Sequence, residues 1–183
     1  METAQIQGIA KGDPFLKKFS TYVIFEHELP DEIKVNCVYV MLLKKGLNTM
    51  DQGNQRVSYG HWVLLETIQT GKNKECPHFI SYFDPMGVKP SLNTYQKMLG
   101  TALQNDLQVY VNTTQRQLSF SQICGILVIY VALLRARKYT HLDINKNKFS
   151  KSLLINAITI TDIINSLMPR HMSKIERFSL NFV

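Results

Sequence analysis

Five short apolar stretches rich in Val, Ile, Tyr and Phe punctuate the first two thirds of the chain: TYVIFE (residues 21–26), CVYVMLL (37–43), HWVLLETI (61–68), HFISYFD (78–84) and LQVYVN (107–112). Branched and aromatic side chains of this kind fit a pleated, buried surface, and the stretches predict strands. Apolar residues recur at helical spacing in three other segments, 91–104, 122–138 and 150–168. Ser91 stands where it can cap the first, and Pro169 ends the last. Strands come mostly first and helices gather later, without regular alternation, which predicts an α+β fold. No Pro/Gly-rich linker divides the 183 residues, and a single domain is expected.

Composition narrows the class. Hydrophobic residues make up 45% and charged residues 19%, the balance of a folded protein, and no segment repeats at a fixed period. The longest apolar run, Ile123 to Leu134, is too short to span a bilayer and contains Gly125. METAQIQGIAKGDPF has no basic-then-apolar signal pattern, so the chain is expected inside the cell that makes it, away from membranes. Its three cysteines, Cys37, Cys76 and Cys124, are odd in number and widely spaced, which predicts free thiols in a reducing compartment. A net charge of +7 and a pI near 9.3 come from scattered groups such as LLKK, RARK and NKNKFSK. They suggest attraction to polyanions without marking a groove, and a solvated basic surface is the plainer reading. Cys76 and His78 form a CPH with no CxxC or second histidine pair beside it, so neither a metal site nor a cofactor is expected.

Chemistry enters with HWVLLETIQTGKNKECPHFISYFDPMG, residues 61–87. If its two strands form an antiparallel hairpin turning at Lys72 and Asn73, facing residues have numbers summing to 145, and His61 faces Asp84. Directly opposed Cβ atoms lie about 4.5–5.5 Å apart, close enough for a carboxylate to orient an imidazole and stabilise its charged form. DPMG supplies a turn where the second strand stops. A base of this kind needs a nucleophile. Cys124 heads the apolar segment ILVIYVALL, and a thiol at a helix N-terminus has its pKa lowered by the positive end of the dipole. Gly125 permits close backbone approach, so an amide near Cys124 can face a developing oxyanion; Gln115, Gln117 and Gln122 offer side-chain amides as a second donor. Together these groups suit acyl transfer by a thiolate. Trp62 has two readings, as a wall of a substrate groove or as an aromatic anchoring the sheet. Cys37, on an apolar strand, is expected to be buried and inert.

The order His, Asp, Cys excludes papain as a template, since papain-like enzymes place the cysteine first. It resembles the adenovirus-protease and ubiquitin-like-protease group of cysteine peptidases, clan CE. The shared features are a His-Trp dipeptide at a strand start (GHWVLL), an acid ending the next strand before Pro and Gly (YFDPMG), and a glutamine a few residues before Cys-Gly (QLSFSQICG). HELPDEIKVNCVYVMLLKK also looks like the family's Leu-Pro segment leading into a central strand. Adenovirus-type members carry the oxyanion glutamine seven residues before the nucleophile, which selects Gln117. The ubiquitin-like-protease members place it six before, within a QxxGxDCG-like pattern, whereas position 118 is Leu and Ile123 precedes Cys124. That departure favours the viral branch. The resemblance covers about residues 20–138, leaving the first twenty residues and a predicted helical region, 139–183, unassigned.

The resemblance implies a central mixed or antiparallel sheet flanked by helices, with Cys124 as nucleophile at the head of a central helix, His61 as base, Asp84 as orienting acid and Gln117 in the oxyanion hole. Trp62 and Gly125 would line the substrate site, with no metal. It further implies a viral endopeptidase, adenain-like, cutting capsid or core precursors after small residues such as Gly during virion maturation. The source would be a virophage, a Maverick/polinton-type element or another double-stranded DNA virus. The expected location is host cytoplasm, virus factory or virion, with the enzyme a monomer and DNA a candidate activator through the basic surface. The alternatives are a protease removing ubiquitin-like modifiers and an inactive binding protein that kept the fold.

Overall fold

A computed structural model describes residues 3–44, 60–68, 78–117 and 123–139, with 144, 148, 149, 152, 153, 156, 159–161, 163 and 164 singly. Its centre is one five-stranded sheet in chain order, β1 (Ser20–Phe25), β2 (Cys37–Lys44), β3 (Gly60–Ile68), β4 (Phe79–Phe83) and β5 (Gln108–Val111). The β2–β3 and β3–β4 pairs are antiparallel, and the outer pairs β1–β2 and β4–β5 are parallel. All five lie within a residue or two of the predicted strands. The mixed sheet with helices on both faces is an α+β fold.

Strict alternation divides the sheet into two packed faces. Tyr39, Met41, Val63, Leu65, Ile80 and Tyr82 point to one side and pack with Met98 and Ala102 of α2 (Leu92–Asn105). α2 is the crossover between the parallel strands β4 and β5, and it is capped as predicted, with the Thr94 N–H donating to Ser91 Oγ at 3.2 Å.

Val38, Val40, Trp62, Leu64 and Phe83 point the other way, onto α3 (Cys124–Ala136). Every residue of α3 from Cys124 to Arg135 is buried. A helix apolar all round needs cover on its far side as well. That cover comes from Ile144, Phe149, Ile160 and Ile164, and from α1 (Thr3–Gly12), which presents Ile6, Ile9 and Ala10 at helical spacing. α1 lies in the stretch left unassigned by sequence. The described residues between 153 and 164 include helical positions, in line with the predicted third helix, while Pro169 lies outside the described residues. Among the described residues no helix is long and apolar enough to cross a membrane.

One charged pair sits inside this layer. Glu66 of β3 is fully buried, and its Oε1 lies 2.8 Å from Arg135 Nε near the end of α3. Ser81, the cross-strand partner of Glu66, donates its hydroxyl to the same oxygen at 2.8 Å. The Arg135 guanidinium also stacks 4.8 Å over the Phe79 ring and donates from Nη1 to the Tyr139 carbonyl at 3.2 Å. Burial pushes the Glu66 carboxyl above its ordinary pKa, with Arg135 and Ser81 pulling against it.

Candidate active site

His61 enters from the start of β3, Asp84 follows the last residue of β4, and Cys124 opens α3. All three side chains are buried. His61 Nε2 and Asp84 Oδ1 are 2.7 Å apart. The same ring hydrogen-bonds the Cys124 thiol. A carboxylate and a thiol on one imidazole make the arrangement in which the acid holds the imidazole and the imidazole can take the thiol proton.

The register differs from the predicted one. β3 and β4 pair with Leu64 opposite Phe83 and Leu65 opposite Tyr82, so facing numbers sum to 147 rather than 145. Continuing one step sets Asp84 opposite Val63, making His61 its diagonal neighbour rather than its direct partner. The contact survives because a slip of two residues preserves the face, whereas a slip of one would have put the imidazole on the other side. Diagonal positions lie about 7–8 Å apart, within reach of a long side chain. The turn predicted at Lys72 and Asn73 lies outside the described residues.

Asp84 is held in place by its own turn. Its Oδ1 accepts the Met86 N–H at 2.6 Å as well as the histidine, and its carbonyl accepts the Gly87 N–H at 2.8 Å. Gly87 has φ +72°, and a Cβ there would stand 2.9 Å from the Gln115 nitrogen, so DPMG needs glycine at its end. The tight approach knits this turn to the segment after β5. The Arg116 N–H donates to the Pro85 carbonyl at 2.7 Å, and Gln115 Nε2 donates to the Gln117 carbonyl at 2.7 Å. Gln117 is buried at the end of that segment, whereas Gln122 lies outside the described residues.

The charges at the site favour an ion pair. Burial opposes the imidazolium, yet the hydrogen bonds to Asp84 and Cys124 and their negative charges outweigh it and raise the His61 pKa to about 9. Burial likewise opposes the thiolate, but His61 and the backbone N–H groups of Trp62 and Gly125 bring the Cys124 pKa below its ordinary value. The two amides were not foreseen in this role. The Trp62 ring is only 7% exposed and packs in the layer between sheet and α3, so the surface it offers a ligand is small. Cys37 is buried and its thiol is pushed up by that burial, the opposite environment to Cys124. Cys76 lies outside the described residues. Among the described residues no three His, Cys, Asp or Glu side chains gather as a metal site would require.

Asn112 is a site residue that the sequence did not reveal. It lies just past β5, is 4% exposed, and bonds the main chain of Asp84. An asparagine at a strand end before TTQRQ has no local signal separating it from a turn residue.

No protein-family model matches the chain, and no curated protein matches it. Among solved structures the chain is similar to the crystal structure of ASFV pS273R protease, with a TM-score of 0.46 and 14% identity over 68% of this chain and 43% of that one. The selenomethionine form of the same protease gives a TM-score of 0.41 and 17% identity over 63% of this chain and 40% of that one. The chain thus spans about two fifths of the length of the protease it resembles. The fold and the chemistry of individual residues rest on the geometry above.

Proposed function

We propose that the chain is a cysteine endopeptidase. The carrying observation is the His61 ring, 2.7 Å from Asp84 through Nε2 and hydrogen-bonded to the Cys124 thiol. His61 takes the thiol proton, and the thiolate attacks the carbonyl carbon of a peptide bond. The oxyanion is held by the Gln117 side-chain amide and a backbone amide near Cys124. The C–N bond breaks as the imidazolium gives its proton to the leaving amine, leaving a thioester on Cys124. His61 then takes a proton from water, hydroxide displaces the sulfur, and the acid product departs.

The resemblance described above supports viral capsid or core precursors as substrates, cut after small residues such as Gly. Purified protein, with Cys124→Ala as control, is to be incubated with candidate precursors and with ubiquitin-like proteins extended beyond a C-terminal Gly-Gly, and the new N-termini mapped by mass spectrometry. Cleavage of precursors alone supports maturation. Cleavage confined to the ubiquitin-like fusions replaces it with deconjugation, and no Cys124-dependent cleavage of either overturns the peptidase reading in favour of a binding protein.

Gln117→Ala is expected to lower kcat by about 10²–10³-fold while leaving alkylation of Cys124 unchanged, because an oxyanion donor acts only in the transition state. An unaltered kcat in this variant would move the role to Gln115 or Gln122.

A further inference from the structure

We propose that Asn112 is a positioning residue that locks the catalytic acid and the oxyanion segment into one rigid unit. The inference rests on the peptidase reading and adds to it a residue that the family motifs do not include. The Asn112 side chain is buried and uses both ends of its amide. Oδ1 accepts the Asp84 N–H at 2.6 Å, while Nδ2 donates to the Asp84 carbonyl at 3.0 Å and to the Thr114 carbonyl at 3.0 Å. Both main-chain groups of the acid are thereby held by one side chain. The Asn112 N–H donates to the Tyr82 carbonyl at 3.1 Å, which fixes the asparagine itself to the end of β4.

Satisfying these groups needs a short amide. Ala would leave the buried Asp84 N–H and carbonyl without this partner and would release the part-buried Thr114 carbonyl to water, and Asp in its ionised form could accept from the N–H but would repel both carbonyls. The consequence reaches the imidazole. Asp84 Oδ1 holds His61 Nε2 at 2.7 Å, and its aim depends on the backbone to which the carboxyl is attached. The contact with Thr114 carries the same restraint into the stretch that ends at Gln117. One amide therefore sets the separation between the group that orients the base and the group proposed to receive the oxyanion. Outer-shell partners of this type commonly change activity about 10–100-fold when removed.

The test compares wild type, Asn112→Ala and Asn112→Ser by the pH dependence of peptide hydrolysis, with Cys124 alkylation read by mass spectrometry against Cys37 as internal standard. Asn112→Ala is expected to lower kcat about 10–100-fold with KM little changed. The upper limb of its cleavage profile is expected to move down by about one pH unit, because a misdirected Asp84 stabilises the imidazolium that protonates the leaving amine less. A residue that merely supports the fold would lower the unfolding midpoint without moving that limb. Should Asn112→Ala not fold, Asn112→Ser decides, since its single hydroxyl cannot span Asp84 and Thr114 together; it is expected to show the same displaced limb. Wild-type kcat and an unmoved limb in a folded variant overturn the role of Asn112. Wild-type Cys124 that alkylates no faster than Cys37 at neutral pH would instead remove the peptidase reading itself, so the two failures are separable.

Discussion

Cys124→Ala is expected to reduce peptide cleavage to background, a loss of at least about 10⁴-fold, since on the proposed mechanism removing the nucleophile ends the covalent route and leaves only binding and oxyanion stabilisation. The same thiol sets the pH dependence. The Cys124 pKa lies below its ordinary value, so thiolate is present above that lowered point, while His61 remains charged up to about 9. The competent pair therefore exists between these limits. Cleavage should rise with pH as the thiol ionises, level off, and fall through about 9 as the imidazolium that protonates the leaving amine loses its proton, whereas alkylation by a neutral reagent should rise with the thiolate and not fall.

Linkage gives the stability side with matching signs. His61, raised in the folded state from 6.5, stabilises fully below 6.5 and loses that contribution as pH rises through about 9. Cys124, lowered from 9.0, contributes above 9.0 and loses its share as pH falls through its folded value. Alkylation of purified protein across this range, with Cys124→Ala as blank, measures the rise, and peptide cleavage measures the fall. A Cys124→Ala protein that still cleaves would end the assignment, as would labelling that falls on Cys37 in place of Cys124.

Arg135→Leu should destabilise the fold by about 3–5 kcal/mol, because it strands the buried Glu66 carboxylate. Ser81 and Arg135 share Oε1 of that carboxylate, and Ser81 alone cannot offset the desolvation. Deprived of the guanidinium, Glu66 folds as the neutral acid. Its folded pKa then stands further above the unfolded value, so folding takes up a proton and the variant loses stability as pH rises beyond the ordinary carboxylate range. The double variant Glu66→Leu/Arg135→Leu should recover most of the loss, since apolar side chains of similar volume often replace a buried pair at no net cost. Urea unfolding at mildly acidic and mildly alkaline pH reads all three proteins. If Arg135→Leu matched the wild type in both, the pair would not join α3 to β3 in the way described.

What could be foreseen from the chain follows from the range of the interactions involved. β3 and α3 are buried along nearly their whole length and β2 from Cys37 to Met41, and continuous apolar runs such as CVYVMLL and CGILVIYVALL mark them without help from distant residues. The hairpin register was out by two residues because a packed face dictates parity alone; it rejects every odd slip but cannot distinguish 145 from 147. α1 was missed although Ile6, Ile9 and Ala10 carry the helical spacing, since one short apolar stripe opposite polar residues is a weak local signal and its helix is completed by packing on α3. The parallel pairing of β1 with β2 and the clasp of Asn112 on Asp84 depend on contacts between separate segments, and neither leaves a pattern in the neighbouring residues.

Cys124 and His61 stand 63 positions of chain apart (124 − 61) and on different elements, so their proximity exists only once separate segments have packed together. In an unfolded chain the thiol has its ordinary value and reacts slowly at neutral pH; only docking of α3 against the start of β3 brings the imidazole to it. A brief pulse of alkylating agent during refolding would therefore time the closure of this long-range contact, and the nucleophile would serve as a clock for its own assembly.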